Sequence, residues 1–451
     1  MDNIKLLYPL LKLKLKPTQI LAFGFAALII VGGMLLNLPF ASKDGQSIGL
    51  LNSMFTATSA VCVTGLVVAD TYTQFSIFGQ IVIMLLIQTG GLGIMTMAIL
   101  VFLLLGKKIT LRERLVMQEA LNQVTLSGLV KLTRHILFTT LVFEGIGAIL
   151  LSIRFIHYYG LGRGLYYGLF HSVSAFNNAG FDLIGEFRSF TPFVEDPVIN
   201  IVVMCLVVFG GLGFSVIYDI LSTKSYKRLS LHSKIVITMN GVLFFSSFII
   251  FYLLECSNPR TLGALSPLGR ILAAAFQSIS PRSIGLVTMN LKDLTTPSKY
   301  FTMFLMFIGA SPGSTGGGIK ITTFALVVMM IYTVLTSKED VEIYQRRIPY
   351  DNIFKAVAIA VISLLMVFTS SFLLTITEKA DFQSILFEAI SAFGTVGLTM
   401  GITSDLTNLG KIIIMVTMFT GRVGPLTLAL AIGSRKNKAL MKYPEERILV
   451  G

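Results

Sequence analysis

One short pattern recurs four times along the chain, and it offers backbone chemistry rather than side-chain chemistry. It runs from a Phe through small or polar residues and a Ser to a Gly nine or ten positions after the Phe. The copies are Phe55-Thr-Ala-Thr-Ser-Ala-Val-Cys-Val-Thr-Gly65, Phe170-His-Ser-Val-Ser-Ala-Phe-Asn-Asn-Ala-Gly180, Phe276-Gln-Ser-Ile-Ser-Pro-Arg-Ser-Ile-Gly285 and Phe387-Glu-Ala-Ile-Ser-Ala-Phe-Gly-Thr-Val-Gly397; the third is one residue shorter. Their tips are Val63-Thr64-Gly65, Asn178-Ala179-Gly180, Ser283-Ile284-Gly285 and Thr395-Val396-Gly397. Glycine permits backbone angles that other residues resist, so a run of carbonyls can turn inward. Four such loops around one axis would supply rings of four carbonyl oxygens, which can replace the hydration shell of a potassium ion. No ring of acidic side chains occurs at the tips, which disfavours a divalent-cation filter. The alternative is that the loops merely pack and enclose no pore.

Such loops need elements to hold them. The chain has 451 residues, 54% of them apolar and 13% charged, against about 25% charged in soluble domains. A mean hydropathy of +0.79 points to lipid as the surroundings. A long apolar span precedes each motif, at about 18–41, 128–157, 233–254 and 354–376. A short stretch leads into it, at about 49–61, 164–176, 267–279 and 381–392. These stretches fall below the roughly 20 residues that cross a bilayer and suit re-entrant helices. A second long span follows, at about 75–105, 195–222, 298–335 and 408–433. The expectation is an all-α polytopic membrane protein with eight transmembrane helices and four re-entrant pore helices in four pseudo-symmetric units. The organisation reads as an N-terminus at 1–17, units at 18–110, 111–224, 225–340 and 341–434, and a tail at 435–451. Residues 3–16 alternate Lys with Leu and suit either a helix on the membrane surface or a positive anchor.

The net charge of +13 sits at the ends of the spans. Lysines and arginines gather in the N-terminus, around 107–134, 224–234 and 338–355, and in the C-terminal tail, so the positive-inside rule puts both termini in the cytoplasm. The other connections mix signs, as with Asp182, Glu186 and Arg188. Cys62, Cys205 and Cys256 lack metal-ligand spacing, and no nucleophile–base set points to an enzyme. No covalently bound cofactor and no nucleic-acid partner is expected.

A second echo follows each motif. Gly90-Gly-Leu-Gly93, Gly210-Gly-Leu-Gly213 and Gly421-Arg-Val-Gly424 recur, and the third unit carries a longer insert from Gly309 to Lys320 instead. Close helix packing through small residues explains the first two equally well. The insert holds Gly309, Ser311, Pro312, Gly313, Ser314, Thr315, Gly316, Gly317, Gly318 and Lys320, and cannot be a stable helix in lipid. It reads as a flexible polar plug with glycine hinges. A phosphate-binding loop is the rival, but the Gly-Lys-Ser/Thr ending is missing. Arg422, within the last span, is costly at that depth and marks function unless it snorkels to the surface.

The motif residues carry a resemblance to the Trk/Ktr/HKT superfamily of potassium transporters over nearly the whole chain, closest to the Ktr membrane subunit. Thr395-Val-Gly-Leu398 is similar to the Thr-Val-Gly-Tyr of potassium channels, and Asn177-Asn-Ala-Gly-Phe181 resembles the family's second filter. Pro281-Arg-Ser-Ile-Gly-Leu286 departs from the usual third filter but keeps Arg282 and the Gly. The resemblance implies a potassium-selective filter looser than that of tetrameric channels, with 309–320 as an intramembrane gate below it and Arg422 beside that gate. It also implies a homodimer in the bacterial cell membrane and a cytoplasmic octameric ring of RCK/KTN-type regulatory subunits that binds the nucleotide, ATP/ADP or NAD. Sodium dependence stays open. The rival class is an alternating-access secondary transporter of a small solute or another monovalent cation, which would show inverted repeats and broken helices.

Overall fold

The computed structural model describes residues 16–94, 96–97, 113, 115–116, 118, 129–432, 444 and 446. Residues 3–15 of the expected surface helix, the boundary near 110 between the first two units and most of the tail at 435–451 lie outside the described residues.

Long helices open each unit: α1 (Pro17–Leu36), α4 (Leu129–Tyr159), α8 (Leu231–Glu255) and α12 (Tyr350–Thr377). Each is long and apolar enough to cross a membrane. The short helices α2 (Leu50–Cys62), α5 (Leu161–Phe176), α9 (Pro267–Ile279) and α13 (Phe382–Gly394) follow. Two of them carry side-chain caps, Ser266 and Asp381 accepting from the backbone of Gly269 and Ser384, and the other two start after Gly49 and Gly160. Each packs along the long helix before it. Phe55, Phe170, Phe276 and Phe387, which open the four motifs, are all buried and anchor the short helices by van der Waals packing.

The second span of each unit is not one helix. The expected continuous spans are α3 (Ile77–Leu92), stopping at Gly93; α6 (Pro197–Leu212) and α7 (Phe214–Thr223), bent by 94° about Gly213; α10 (Thr296–Phe307) and α11 (Ile321–Leu335), separated by the insert; and α14 (Asn408–Val423) and α15 (Pro425–Ile432), parted at Gly424. The reason is local. Gly93, Gly213 and Gly424 all have φ near +90° (84°, 92° and 94°), which a helix cannot accommodate. Thus the last glycine of each Gly-Gly-Leu-Gly or Gly-Arg-Val-Gly run is a break. The first does what close packing predicts: a Cβ on Gly90, Gly210 or Gly421 would strike the carbonyl of Val61, Phe176 or Phe393 at the end of its own unit's short helix. Between α11 and α12 lies a small antiparallel hairpin, β1 (Glu342–Ile343) and β2 (Arg346–Arg347), turned by Tyr344 and Gln345 at positive φ.

The units close on one another in order. The broken helix of each packs on the short helix of the next: α3 on α5, α6 on α9, α10 on α13, and α14 back on α2. Lys411 Nζ of α14 donates to Asn52 Oδ1 of α2 at 2.9 Å across that last joint.

One stability test arises in the third unit. The buried Glu255 carboxylate accepts from Asn258 Nδ2 (2.7 Å), Thr261 Oγ1 (2.6 Å), Thr295 N (2.9 Å) and Thr295 Oγ1 (2.8 Å), tying α8 to the loops that precede α9 and α10. Glu255→Ala strands these donors and is expected to cost about 3 kcal/mol. Thermal unfolding in detergent checks it, with Glu255→Gln intermediate.

Candidate functional site: four converging loops

Each short helix ends in the same way. The amides of Thr64, Ala179, Ile284 and Val396 bond back to the carbonyls of Ser59, Ser174, Ser280 and Ser391 at 2.8, 2.8, 3.2 and 2.9 Å. Val63, Asn178 and Thr395 then sit at positive φ. Gly65, Gly180, Gly285 and Gly397 follow with φ of 88°, 72°, 70° and 91°.

The four loops meet. A Cβ built on Gly65 would fall within 3.0 Å of the Ala179 carbonyl oxygen, one on Gly180 of the Ile284 oxygen, one on Gly285 of the Val396 oxygen, and one on Gly397 of the Thr64 oxygen. The relation is cyclic, from the first unit through the fourth and back to the first. Four glycines and four carbonyl oxygens therefore alternate around one ring. Only hydrogen-sized side chains fit between loops this close. The ring forms the floor of a cavity of about 430 Å³ whose walls include Asp70, Asp182, Arg188, Lys292 and Thr399.

The sequence pattern contained the motif serines without revealing that they hold the loop tips. Ser59 and Ser391 hydroxyls accept from the Gly65 and Gly397 amides at 3.0 and 3.1 Å. Ser174 and Ser280 instead donate to the carbonyls of Phe181 and Leu286 at 2.6 and 2.5 Å. In all four units the hydroxyl pins the chain just past the tip. Further support comes from matched positions on the short helices. His171 accepts from the Leu183 amide at 3.0 Å while its Nδ1 donates to Tyr167 O at 2.7 Å. Glu388 accepts from Thr399 and Thr403 hydroxyls at 2.8 and 2.5 Å. Thr56 bonds only within its helix, and Gln277 Nε2 has no partner among the described residues. Glu144, midway along α4, was not legible as a site residue. Its carboxylate accepts from Asn177 Nδ2 (2.8 Å) and Gln88 Nε2 (3.1 Å), linking the first unit to the second behind the ring.

The insert lies directly beneath the ring. Thr315 Oγ1 donates toward Gly210 O (3.1 Å) and Phe176 O (3.4 Å), and the Gly317 amide donates to Thr395 Oγ1 (3.0 Å). A Cβ on Gly316 would lie 2.6 Å from Ser283 Oγ. The segment is held at many points rather than loose: Ser311 N to Gly211 O (3.1 Å), Gly318 N to Gly421 O (3.2 Å), Gly309 N to Ile319 O (2.8 Å), Ser314 Oγ to Ser311 O (2.6 Å) and Lys320 Nζ to Gly316 O (2.5 Å). Pro312 and Gly313 seat against the α6–α7 break, where Gly313 O accepts from Phe214 N at 3.0 Å. Arg422 points inward, not to the surface. Its guanidinium donates to Thr315 O, Gly90 O and Gly91 O, the last at 3.0 Å. One side chain of the fourth unit thus joins the insert of the third to the helix break of the first.

Comparison with known proteins follows the same line. The family model TrkH, described as "Cation transport protein", matches residues 21–439. Ktr system potassium uptake protein B of Bacillus subtilis (strain 168) is 44% identical over 435 residues, 96% of this chain and 97% of its own. The protein of the same name from Vibrio alginolyticus is 42% identical, covering 96% and 94%. Potassium/sodium uptake protein NtpJ of Enterococcus hirae is 39% identical over 97% of this chain and 98% of its own. The solved potassium transporter TrkH from Vibrio parahaemolyticus superposes with a TM-score of 0.73 at 18% identity, over 94% of this chain and 86% of that one, a likeness of fold.

Proposed function

Since the chain belongs to the TrkH/Ktr family of cation transport proteins, a family of multi-pass membrane transporters and not of enzymes, we propose that it is the ion-translocating subunit of a Ktr-type potassium uptake system. The observation that carries this is the closed ring of carbonyls from Thr64, Ala179, Ile284 and Val396, interleaved with the four glycines. Potassium sheds water in the outer cavity and takes carbonyl oxygens in its place. The C-terminal ends of α2, α5, α9 and α13 aim their negative dipole ends at the ion from four sides. Val63, Asn178, Ser283 and Thr395 complete the filter on its inner side. Beneath it, residues 309–320 close the path, latched by Arg422. The cargo moves down its electrochemical gradient, with sodium dependence a matter for flux measurements.

The protein sits in the bacterial cell membrane with both termini in the cytoplasm, as the basic loops require. It works as a homodimer on an octameric RCK/KTN-type regulatory ring. Nucleotide, ATP/ADP or NAD, binds that ring, because the chain carries no nucleotide-binding motif of its own. The basic loops at 222–234 and 337–355 and the C-terminal tail are the surfaces offered to the partner. Alternating access has one observation in its favour, the broken second helices. The breaks recur with the same orientation in successive units and surround one ring, which suits a pore. The test is growth at low potassium of an uptake-deficient bacterium expressing the chain, with and without a regulatory partner. Absence of rescue with every partner, despite protein in the membrane, would overturn the proposal.

The outer cavity sets a pH dependence. Burial pushes the Asp182 carboxyl up to about 7, and nearby Asp70 pushes in the same direction, against hydrogen bonds from the Ile184 and Gly185 amides. Asp182 is therefore charged above about pH 7 and neutral below it. A carboxylate in a cavity concentrates cations, and protonation removes that effect. KM for potassium is expected to rise a few-fold as external pH falls from 8 to 6, and Asp182→Asn is expected to hold the higher KM throughout. A wild-type KM that is flat with pH would remove this role.

A further inference from the structure

Beside the ring, between the second and third units, lies a second cavity of about 550 Å³. Its walls are almost wholly apolar, with Val208, Phe209 and Phe244 among them, and Val208 and Phe209 are exposed on the outer face of an apolar helix. Its volume is that of an ordinary ligand pocket. Arg282 opens into it from the end of α9. The Arg282 Nε is sealed from solvent and has no hydrogen-bond partner, and the guanidinium forms no ion pair among the described residues. No acidic residue lines the cavity. A cation held at membrane depth without a counter-charge is costly, and an isolated one calls for an anion from elsewhere.

We propose that this cavity binds a single-chain anionic amphiphile of the fatty-acid class, its carboxylate paired with Arg282 and its chain lying along Val208, Phe209 and Phe244. Charge and depth select this occupant. α9 has 13 residues, so at 1.5 Å per residue Arg282 lies roughly 20 Å along the short helix from its start, well inside a hydrocarbon core of about 30 Å. A phosphodiester is always charged and stays at the interface. A carboxylic acid crosses lipid in its neutral form and binds as the carboxylate, accepting two parallel N–H bonds from one guanidinium.

The cavity also reaches the ion path. Ser283 and Ala310 line it, so its occupant touches both the third filter loop and the insert. With its amide oriented to accept from Ser283 Oγ (3.2 Å), Asn178 donates to Ala175 O (3.0 Å) and Val207 O (3.3 Å), coupling this wall to the second filter loop. Occupancy therefore bears on conduction. The binding site itself does not depend on the ion pathway proposed above, and the two can fail separately.

The chain contains no tryptophan, so Phe209→Trp introduces a single reporter, with Phe244→Trp as a second if the first does not fold. The full-length protein in phosphatidylcholine vesicles is titrated with dibromostearic acid, whose bromines quench indole fluorescence on contact. Saturable quenching that is reversed by oleate is expected. Adding Arg282→Gln should weaken binding about tenfold or more, the loss of one charge-assisted contact. Equal quenching by dibromostearyl alcohol, equal affinity in Arg282→Gln, or no saturable quenching would each overturn the proposal. The acid–alcohol comparison needs no change at Arg282, so the test survives if that variant misfolds. Equal affinity for brominated phosphatidylglycerol would overturn the single-chain assignment.

Discussion

Gly397→Ala is expected to raise KM for potassium uptake by about a hundredfold. Two costs add. The residue sits at φ of 91°, outside the region open to L-residues with side chains, which costs about 1–3 kcal/mol. Its new Cβ also meets the Thr64 carbonyl oxygen, so that oxygen must leave the ring. Together about 3 kcal/mol is lost from ion coordination, and each 1.4 kcal/mol is tenfold in affinity. Because the ring is cyclic, Gly65→Ala, Gly180→Ala and Gly285→Ala are expected to act alike, each through a different neighbour. Gly145→Ala is the control: nothing lies within 4 Å of its missing Cβ, and it sits in the interior of α4. Uptake assays in a transport-deficient strain, with membrane abundance checked, read the result. A wild-type KM in Gly397→Ala would mean that the carbonyls do not bind the ion.

The second large effect concerns Arg422. Its three carbonyl partners belong to the insert and to the helix break of the first unit. Hydrogen bonds from a charged donor contribute about 1.5–3 kcal/mol each. Arg422→Ala removes them and frees the insert from the first unit, although its bonds to Gly210, Gly421 and Thr395 remain. Where the insert limits conduction, the flux is expected to rise about tenfold to a hundredfold, with reduced dependence on the regulatory partner. Arg422→Lys keeps the charge but not the fork geometry, and belongs between the two. Deleting 313–317 removes the blockade itself and should match or exceed Arg422→Ala. Unchanged flux in both variants would end the gate assignment.

The insert is latched rather than loose. Glycine-rich composition suggested a flexible plug, yet residues 309–320 bond to the second and fourth units, Thr395 of the fourth loop among them. Glycine serves here for close approach as much as for hinge motion: Gly309, Gly316 and Gly317 each lie where a Cβ would strike a neighbour. Any displacement of the segment must break several backbone hydrogen bonds together.

Much of this molecule was legible in its sequence, because local signals carry it. Apolar length set the four long helices to within a few residues, the short lead-in stretches located the re-entrant helices, and the recurring Gly named the tips. Signals confined to one segment cannot report how segments approach. The break glycines Gly93, Gly213 and Gly424 look, in sequence, like any small-residue packing run, and only the backbone angles separate the residue that packs from the one that bends. Glu144 gives no local sign of its partners, Asn177 at the end of its own unit's short helix and Gln88 from the first unit. The same holds for the four loop-tip glycines, Gly65, Gly180, Gly285 and Gly397. Sequence determined that they recur in four like units; tertiary packing of residues a hundred or more positions apart decided that each would abut the next unit's carbonyl oxygen, and so close the ring.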